Sequence, residues 1–311
     1  MLGEPFSFRL FDIADLVHRP DIVIANGQIA AQNNVALFPN DDLIPEFAFN
    51  TVNINPSLLA ADAYRLSPLD PSSSSAWVQA VEMYDGYFKR AFHAELPVDK
   101  STSPPSILCD ASERDVLKVA IIDRHHSTPN RGVAFVRGFG LKHGAIAATT
   151  NCENQNLVII GVDDESIAAA ARTMQELGGG MLAVGKDGGL LGSLKLDVAG
   201  CMSSGPWEAV RDASRQLDKL VREELGCTMD VPFLIASFVG LVAVPDLGLT
   251  ELGLVAGGGK KLINPVLPIE DPAHVEDGAP SNVQGIRVCC RCPSHGHPVH
   301  KLMDPINIDR N

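Results

Sequence analysis

The sequence predicts an α+β fold, a layered mixed sheet with packed helices, preceded by a small N-terminal β segment. Three observations predict it. From Glu113 to Pro268 short β-branched runs and amphipathic helical runs are mixed along the chain, the patterns of strands and of core-facing helices. They follow one another without the regular βαβ repeat that a doubly wound sheet or a TIM barrel requires. Near the N-terminus, DIVIANGQIAAQNN sets two apolar runs on either side of Asn26-Gly27, a pair that readily adopts the two positive φ angles of a type I′ hairpin turn.

The elements follow in order. The hairpin closes a small β segment over 1–55, which needs cover from elsewhere because a lone hairpin is marginal in water. Two Pro/Ser breaks, SPLDPSSSSAW and DKSTSPPS, mark 56–112 as a linker with partial structure, and AWVQAVEMYDGYFKRAFHAEL between them reads as a short helix. The main domain spans 113–268. In it DVLKVAIID, GVAFVRG and NLVIIGV read as strands. DDESIAAAARTMQELGGG has acids in its first turn and glycines at its end, the marks of a helix start and stop. MLAVGKDGGLLGSLKLDV reads as two strands joined at a Gly/Asp turn. Pro206 opens an amphipathic helix closed by Gly226, and Pro232 opens a further apolar segment, PFLIASFVGL. Beyond Pro268 periodicity is lost, so 269–311 reads as a loose tail.

Composition narrows the function. Apolar residues at 45% and charged residues at 20% are the balance of a soluble globular protein with a sizeable core. The net charge of −13 with no clustered Lys and Arg beyond Lys260-Lys261 argues against a nucleic-acid partner, because phosphate contacts need concentrated positive charge. No stretch approaches the ~18 apolar residues of a membrane helix, and the start has no uninterrupted apolar region of the signal-peptide kind. Seven unevenly placed cysteines fit a reducing compartment, and the expected location is the cytoplasm.

From Ile121 to Val255 the chain carries, in this order, IIDRHHSTPNRGVAFVRGFGLKHGAIA, GVDDESIAAAARTMQELGGGMLAV, LDVAGCMSS and ELGCTMDVPFLIASFVGLVAVPDLGLTELGLV. With these segments it resembles the C-terminal domain region of bacterial-type adenine deaminases of the amidohydrolase superfamily. The N-terminal hairpin and PEFAFNTVNINP resemble the stretch that follows the barrel in that family. The resemblance implies hydrolysis of adenine to hypoxanthine and ammonia by a hydroxide bound to a divalent metal (manganese, iron or zinc), since a metal lowers the pKa of its water. Most metal ligands in that family lie on a preceding (β/α)8 barrel, beginning with a His-x-His pair. Here the one His-x-His is His295-Gly296-His297, in the tail. The expectation is therefore a domain without the metal-binding barrel, weak or inert alone, completed by a barrel-bearing partner chain or assembled as a homo-oligomer. The alternatives are a non-catalytic purine-binding or regulatory module, and a truncated gene product. In each, the ligand is adenine or a related purine.

Two clusters carry the candidate chemistry. Arg124-His125-His126 stands where the strand VLKVAIID ends, a common position for functional groups. Neighbouring side chains of an extended segment point to opposite faces, so one His faces a site while the other packs elsewhere, or both are structural. In TTNCENQN, Cys152, Glu153 and Gln155 occupy the positions where the family reads Ala-His-Asp-Ser-His-Asn. Thiolate and carboxylate still bind divalent ions, whereas Gln is a weak ligand. The metal candidates are thus His125, His126, Cys152 and Glu153, with Glu153 also a candidate catalytic proton carrier. The other reading of CENQN is a turn held by Asn side chains on local backbone. Gly178-Gly179-Gly180 follows a helix, so it reads as a cap rather than a phosphate loop. The tail cluster VCCRCPSHGHPVH has zinc-ligand residue types, but its spacing is too compressed for two ligand pairs.

Overall fold

The computed structural model describes residues 8–10, 21–33, 35–37, 44–84, 89–258 and 261–268; the Cys/His-rich tail and Lys260 lie outside them. The chain divides into a unit ending at Ile269 and a second from Glu270 onward, of which no residue is among those described.

Strands β1 (Phe8–Leu10), β2 (Ile22–Ala25), β3 (Gln28–Gln32) and β4 (Val35–Ala36) form an antiparallel four-stranded sheet in sequence order. Asn26 and Gly27 have φ of 52° and 77°, the positive pair of the expected type I′ turn. None of the side chains described in this sheet is buried, and Ile29, Val35 and Leu37 are exposed.

Next come β5 (Ser75–Met83), β6 (Lys89–Asp99), β7 (Ser106–Ile107), β8 (Val116–Ile122), β9 (Arg131–Arg137), β10 (Ala145–Ala148) and β11 (Leu157–Gly161). Helix α1 (Asp164–Leu177), strands β12 (Gly180–Val184) and β13 (Leu190–Lys195), and helices α2 (Trp207–Leu225) and α3 (Pro232–Ser237) follow. The last elements are β14 (Leu247–Thr250), β15 (Gly253–Ala256) and β16 (Lys261–Ile263), a separate three-stranded antiparallel sheet. The main sheet has nine strands in the order β13-β12-β10-β11-β8-β9-β5-β6-β7. Every neighbouring pair is antiparallel except β5 and β9, which run parallel with Ala80 opposite Phe135. This is the mixed α+β sheet the sequence predicts.

The segment read as a short helix inside a linker is corrected: it forms β5 and β6, paired from Ser75↔Pro97 to Met83↔Lys89. Ala76, Val78 and Ala80 alternate into the core, a period-two pattern, and cross-strand pairing outweighs the segment's local helix propensity. With β7 it adds three strands to the same sheet.

All seven residues of β8 are buried, because both faces of the sheet are covered. Ala120 and Ile122 pack with Ile167, Ala168, Ala171 and Met174 of α1 and with Val52, Ile54 and Tyr64. Leu117, Val119 and Ile121 pack with Leu217, Val221 and Leu225 of α2, with Phe233 and Ile235 of α3, and with Leu249 and Leu254. Each such aliphatic side chain contributes about 1.5–3 kcal/mol by leaving water. The helix ends follow their sequence signals. The Asp163 side chain accepts from Ser166 N at 2.7 Å, and Gly178 closes α1 at φ 79°. Pro206 precedes α2 and Gly226 ends it at φ 76°, the left-handed turn that glycine adopts without strain. Among the described residues no helix is long and apolar enough to cross a membrane.

Candidate functional site

The two predicted clusters meet at one end of β8. Beyond Ile122, the Asp123 carboxylate gathers the turn, accepting from the backbone N–H groups of His125 (2.8 Å), His126 (3.3 Å) and Thr128 (3.1 Å) and from the Thr128 hydroxyl (2.6 Å). Burial pushes its pKa up, but the Thr128 hydroxyl and these amides outweigh burial and hold it at about 2. Asp123 is therefore a fixed anion that organises the turn rather than a proton carrier near neutrality.

Arg124 is the largest fully buried side chain among the described residues. Its Nε donates to the Gln155 carbonyl at 2.6 Å and its Nη2 to the Ala199 carbonyl at 3.0 Å, with longer contacts to the Thr51 carbonyl and hydroxyl and to Cys201 Sγ. The Arg124 carbonyl also accepts from Asn53 N at 2.7 Å. One guanidinium thus pins three chain-distant segments. Gly200 is shaped to it, with φ 69° and a position where a Cβ would lie 2.8 Å from Arg124 Nη1.

The two histidines lie in the bend that follows β8 and make different contacts. Both are exposed. The Nε2 of His125 lies 3.0 Å from the Asn154 carbonyl, so this ring touches the TTNCENQN loop. The His126 ring is 82% exposed, with Nδ1 3.9 Å from Asp123 Oδ1. The ring centroids are 6.1 Å apart.

The loop between β10 and β11 passes through left-handed backbone at Glu153 (φ 70°) and Gln155 (φ 55°), which turns alternate side chains outward in different directions. Cys152 faces α3, with Sγ 3.5 Å from Ser237 Oγ and its N–H donating to the Ser237 carbonyl at 3.2 Å. Gln155 faces the opposite way, accepting from Cys201 Sγ at 3.1 Å through Oε1. Glu153 stands exposed between them. Asn154 Oδ1 accepts from Asn156 N and from Asn151 Nδ2, both at 3.0 Å. Glu251 Oε2 accepts from Asn154 Nδ2 at 3.1 Å and Asn156 Nδ2 at 3.0 Å. The Asn-held turn of the second reading is thus present. The buried Oδ1 atoms of Asn151 and Asn156 have no partner.

Two residues at this site escaped the sequence reading. Lys89, at the start of β6, is buried, and its Nζ donates to the carbonyls of Leu241 (2.6 Å) and Phe238 (3.2 Å). Burial lowers its pKa to about 8, opposed by the nearby charges of Glu153 and Cys152. Recognising KRAFHAEL as a strand would have exposed the inward Lys. Cys201 sits between Arg124 and Gln155; burial pushes its thiol pKa up, with Arg124 opposing, so it serves as a neutral donor. Nothing in its sequence spacing marks it.

Among the described residues no group of three or more His, Cys, Asp and Glu side chains converges to hold a metal ion. The geometry explains why. Cys152 and Gln155 point apart, His126 points to solvent, and the Lys89 ammonium lies where it opposes a second cation beside Cys152 and Glu153. His125, His126, Cys152 and Glu153 do not fit a complete metal site by themselves.

A mixed sheet covered on both faces, with a polar loop cluster at the ends of β8 and β10, defines an α+β domain. Residues 88–260 match the family described as adenine deaminase C-terminal domain. The chain is similar to an adenine deaminase of Clostridium botulinum (strain ATCC 19397 / Type A), 37% identical over 211 residues that cover 68% of this chain and 34% of that protein. It is similar to an adenine deaminase of Brucella abortus (strain 2308), 35% identical over 235 residues that cover 76% of this chain and 38% of that protein. The chain belongs to the adenine deaminase family through its C-terminal domain, and it spans about a third of the length of these curated relatives.

Proposed function

We propose that this chain supplies the C-terminal domain of a cytoplasmic adenine deaminase, whose reaction is metal-dependent hydrolysis of adenine to hypoxanthine and ammonia. The observation that carries the reading is family membership over residues 88–260 together with the absence, among the described residues, of any three-ligand metal group. On this reading the metal-holding groups lie outside these residues, on a barrel supplied by a partner chain or by a longer form of this chain. Glu153, exposed at the tip of the loop that His125 meets through the Asn154 carbonyl, is the group best suited to carry protons to the ring and the leaving amine.

The test is to load the 311-residue chain with manganese, iron or zinc and follow adenine loss and ammonia release. The expected result is little or no turnover alone and restored turnover when a barrel-bearing chain is added. Robust turnover by the chain alone would sink the reading.

A second reading, a non-catalytic purine-binding or regulatory module, is favoured by one observation: Cys152, Glu153 and Gln155 diverge instead of converging on a common point. Calorimetry with adenine and related purines, with and without metal, tests it. Absence of binding under both conditions would remove it.

A further inference from the structure

We propose that a polar cleft between β9, β15, β16 and the turn after Tyr64 is a binding site for a small phosphate-bearing ligand, separate from the loop cluster described above. The cleft has a volume of about 440 Å³, within the ~300–1,000 Å³ typical of small-molecule sites. Its lining includes Arg65, Arg131, Ser67 and Asn264 and no acidic residue.

The donor chemistry is specific. Arg131 opens β9, and its Nε donates to the Ala63 carbonyl, which orients the guanidinium and leaves its two terminal nitrogens without a described partner. The Arg65 side chain makes no described hydrogen bond or ion pair; the carboxylate that feels its charge, Asp99, is instead hydrogen-bonded by Ser101. The Asn264 side-chain oxygen is taken by Val266 N at 3.0 Å, which leaves its Nδ2 as the end free to donate. Lys261 lies two residues before Ile263, a lining residue, on the same strand, so the two side chains share a face. In a chain of net charge −13, a cleft carrying two guanidinium groups and no carboxylate concentrates positive potential against the background field. Planar guanidinium forks bind tetrahedral oxyanions through paired N–H donors. Tyr64, buried behind the cleft, does not neutralise them: burial holds its phenol protonated, against the pull of Arg131 and Arg172.

Part of the lining is aliphatic. Leu254, Ile263, Pro265 and Val266 supply it, a surface suited to the less polar part of an organic phosphate. Gly132 fixes the floor, because a Cβ there would strike the Thr250 carbonyl. Close backbone packing of β9 on the β14–β15 turn fixes that side of the cleft, while Arg65, Ser67, Asn264 and Pro265 line it from irregular segments.

The experiment is calorimetry and ³¹P NMR on the 311-residue chain with inorganic phosphate, adenosine 5′-monophosphate and adenosine. Phosphate and the nucleotide are expected to bind, more weakly as salt rises, and adenosine to bind at least tenfold more weakly than the nucleotide. Tighter binding of the nucleotide than of phosphate assigns an organic phosphate; equal binding assigns the free ion. Arg65→Ala removes an exposed side chain that holds nothing in place, and is expected to weaken binding about tenfold with unchanged circular dichroism and melting, the scale of a charge-assisted hydrogen bond. Arg131→Lys keeps the charge and loses the fork, and is expected to weaken binding by a similar factor. No binding of phosphate or nucleotide by the native chain, equal affinity of Arg65→Ala and native chain, or adenosine binding as tightly as its monophosphate would each overturn the proposal. None of these readouts involves adenine turnover, so the outcome is distinguishable from success or failure of the deaminase reading.

Discussion

Two halves of the loop cluster at the end of β8 differ in kind. On one side Asp123 and Arg124 are buried and hold four or more polar contacts each; on the other the side chains of His125, His126 and Glu153 are exposed and hold at most one described hydrogen bond or ion pair each. The buried half is a brace that fixes where the loops go. The exposed half is a rim whose side chains are free to meet a substrate or a partner. Residues of reactive type are therefore not the residues that hold the site together, and substitutions should separate the two roles.

The largest effect is expected at the brace. Arg124→Ala leaves the Gln155, Ala199 and Thr51 carbonyls without their donor in a dry interior, and each orphaned group costs about 1–3 kcal/mol. A loss of about 3 kcal/mol or more in urea unfolding is expected. A loss under 1 kcal/mol would mean that water replaces the guanidinium and the brace is not a brace.

Lys89 gives the next effect, and its sign is opposite to that of a salt bridge. Its pKa falls from 10.5 unfolded to about 8 folded, so between these values the unfolded chain binds more protons and stability rises with pH. The gain should approach about 3 kcal/mol across that window, superposed on general alkaline effects. Lys89→Met should flatten this slope. An equal slope in the variant would refute burial as the cause.

Asp123 acts at the other end of the scale. Its pKa is depressed from 3.8 to about 2, so its contribution is fully present above about pH 4 and is lost as pH falls towards 2. Discounted for solvent screening, this is about 1–2 kcal/mol. Acid unfolding of Asp123→Asn should lack that component; a native-like acid profile in the variant would place the turn's stability elsewhere.

These contrasts also explain what was legible in the sequence. The caps of α1 and α2, the Asn26-Gly27 turn and the buried strand β8 were readable because their signals are local: Asp163 bonds an amide three residues away, and Gly178 takes a left-handed φ at the helix end. The resemblance makes His125 and the loop around Cys152 candidates for one site, but no local signal in either segment shows the contact of His125 with Asn154. Arg124 and Lys89 were unreadable as anchors because their partners are backbone carbonyls at residues 51, 155, 199, 238 and 241. Every residue carries a carbonyl, so no residue type or spacing betrays which ones a distant cation will find. The misread β5 hairpin failed for a related reason. Its pairing partners, β9 and β6, decide its conformation, and local propensity does not contain them.

The smallest stability effect belongs to the rim, and it carries the sharpest functional contrast. Glu153 sits at φ 70°, where a side chain costs about 1–2 kcal/mol and glycine costs nothing sterically. Glu153→Gly relieves that strain but gives the unfolded chain more freedom, so the net change should be on the order of 0.5 kcal/mol in either direction. Glu153→Gln, with the strain retained, should melt within about 0.5 kcal/mol of the native chain. On the deaminase reading proposed above, both variants should nevertheless lose adenine turnover when a barrel-bearing chain is added, because neither supplies an ionisable group at the loop tip. Unchanged turnover in both would remove Glu153 from the chemistry and leave the rim as a contact surface. A large loss of stability in either would show that Glu153 belongs to the brace, and that the division between the two halves is drawn in the wrong place.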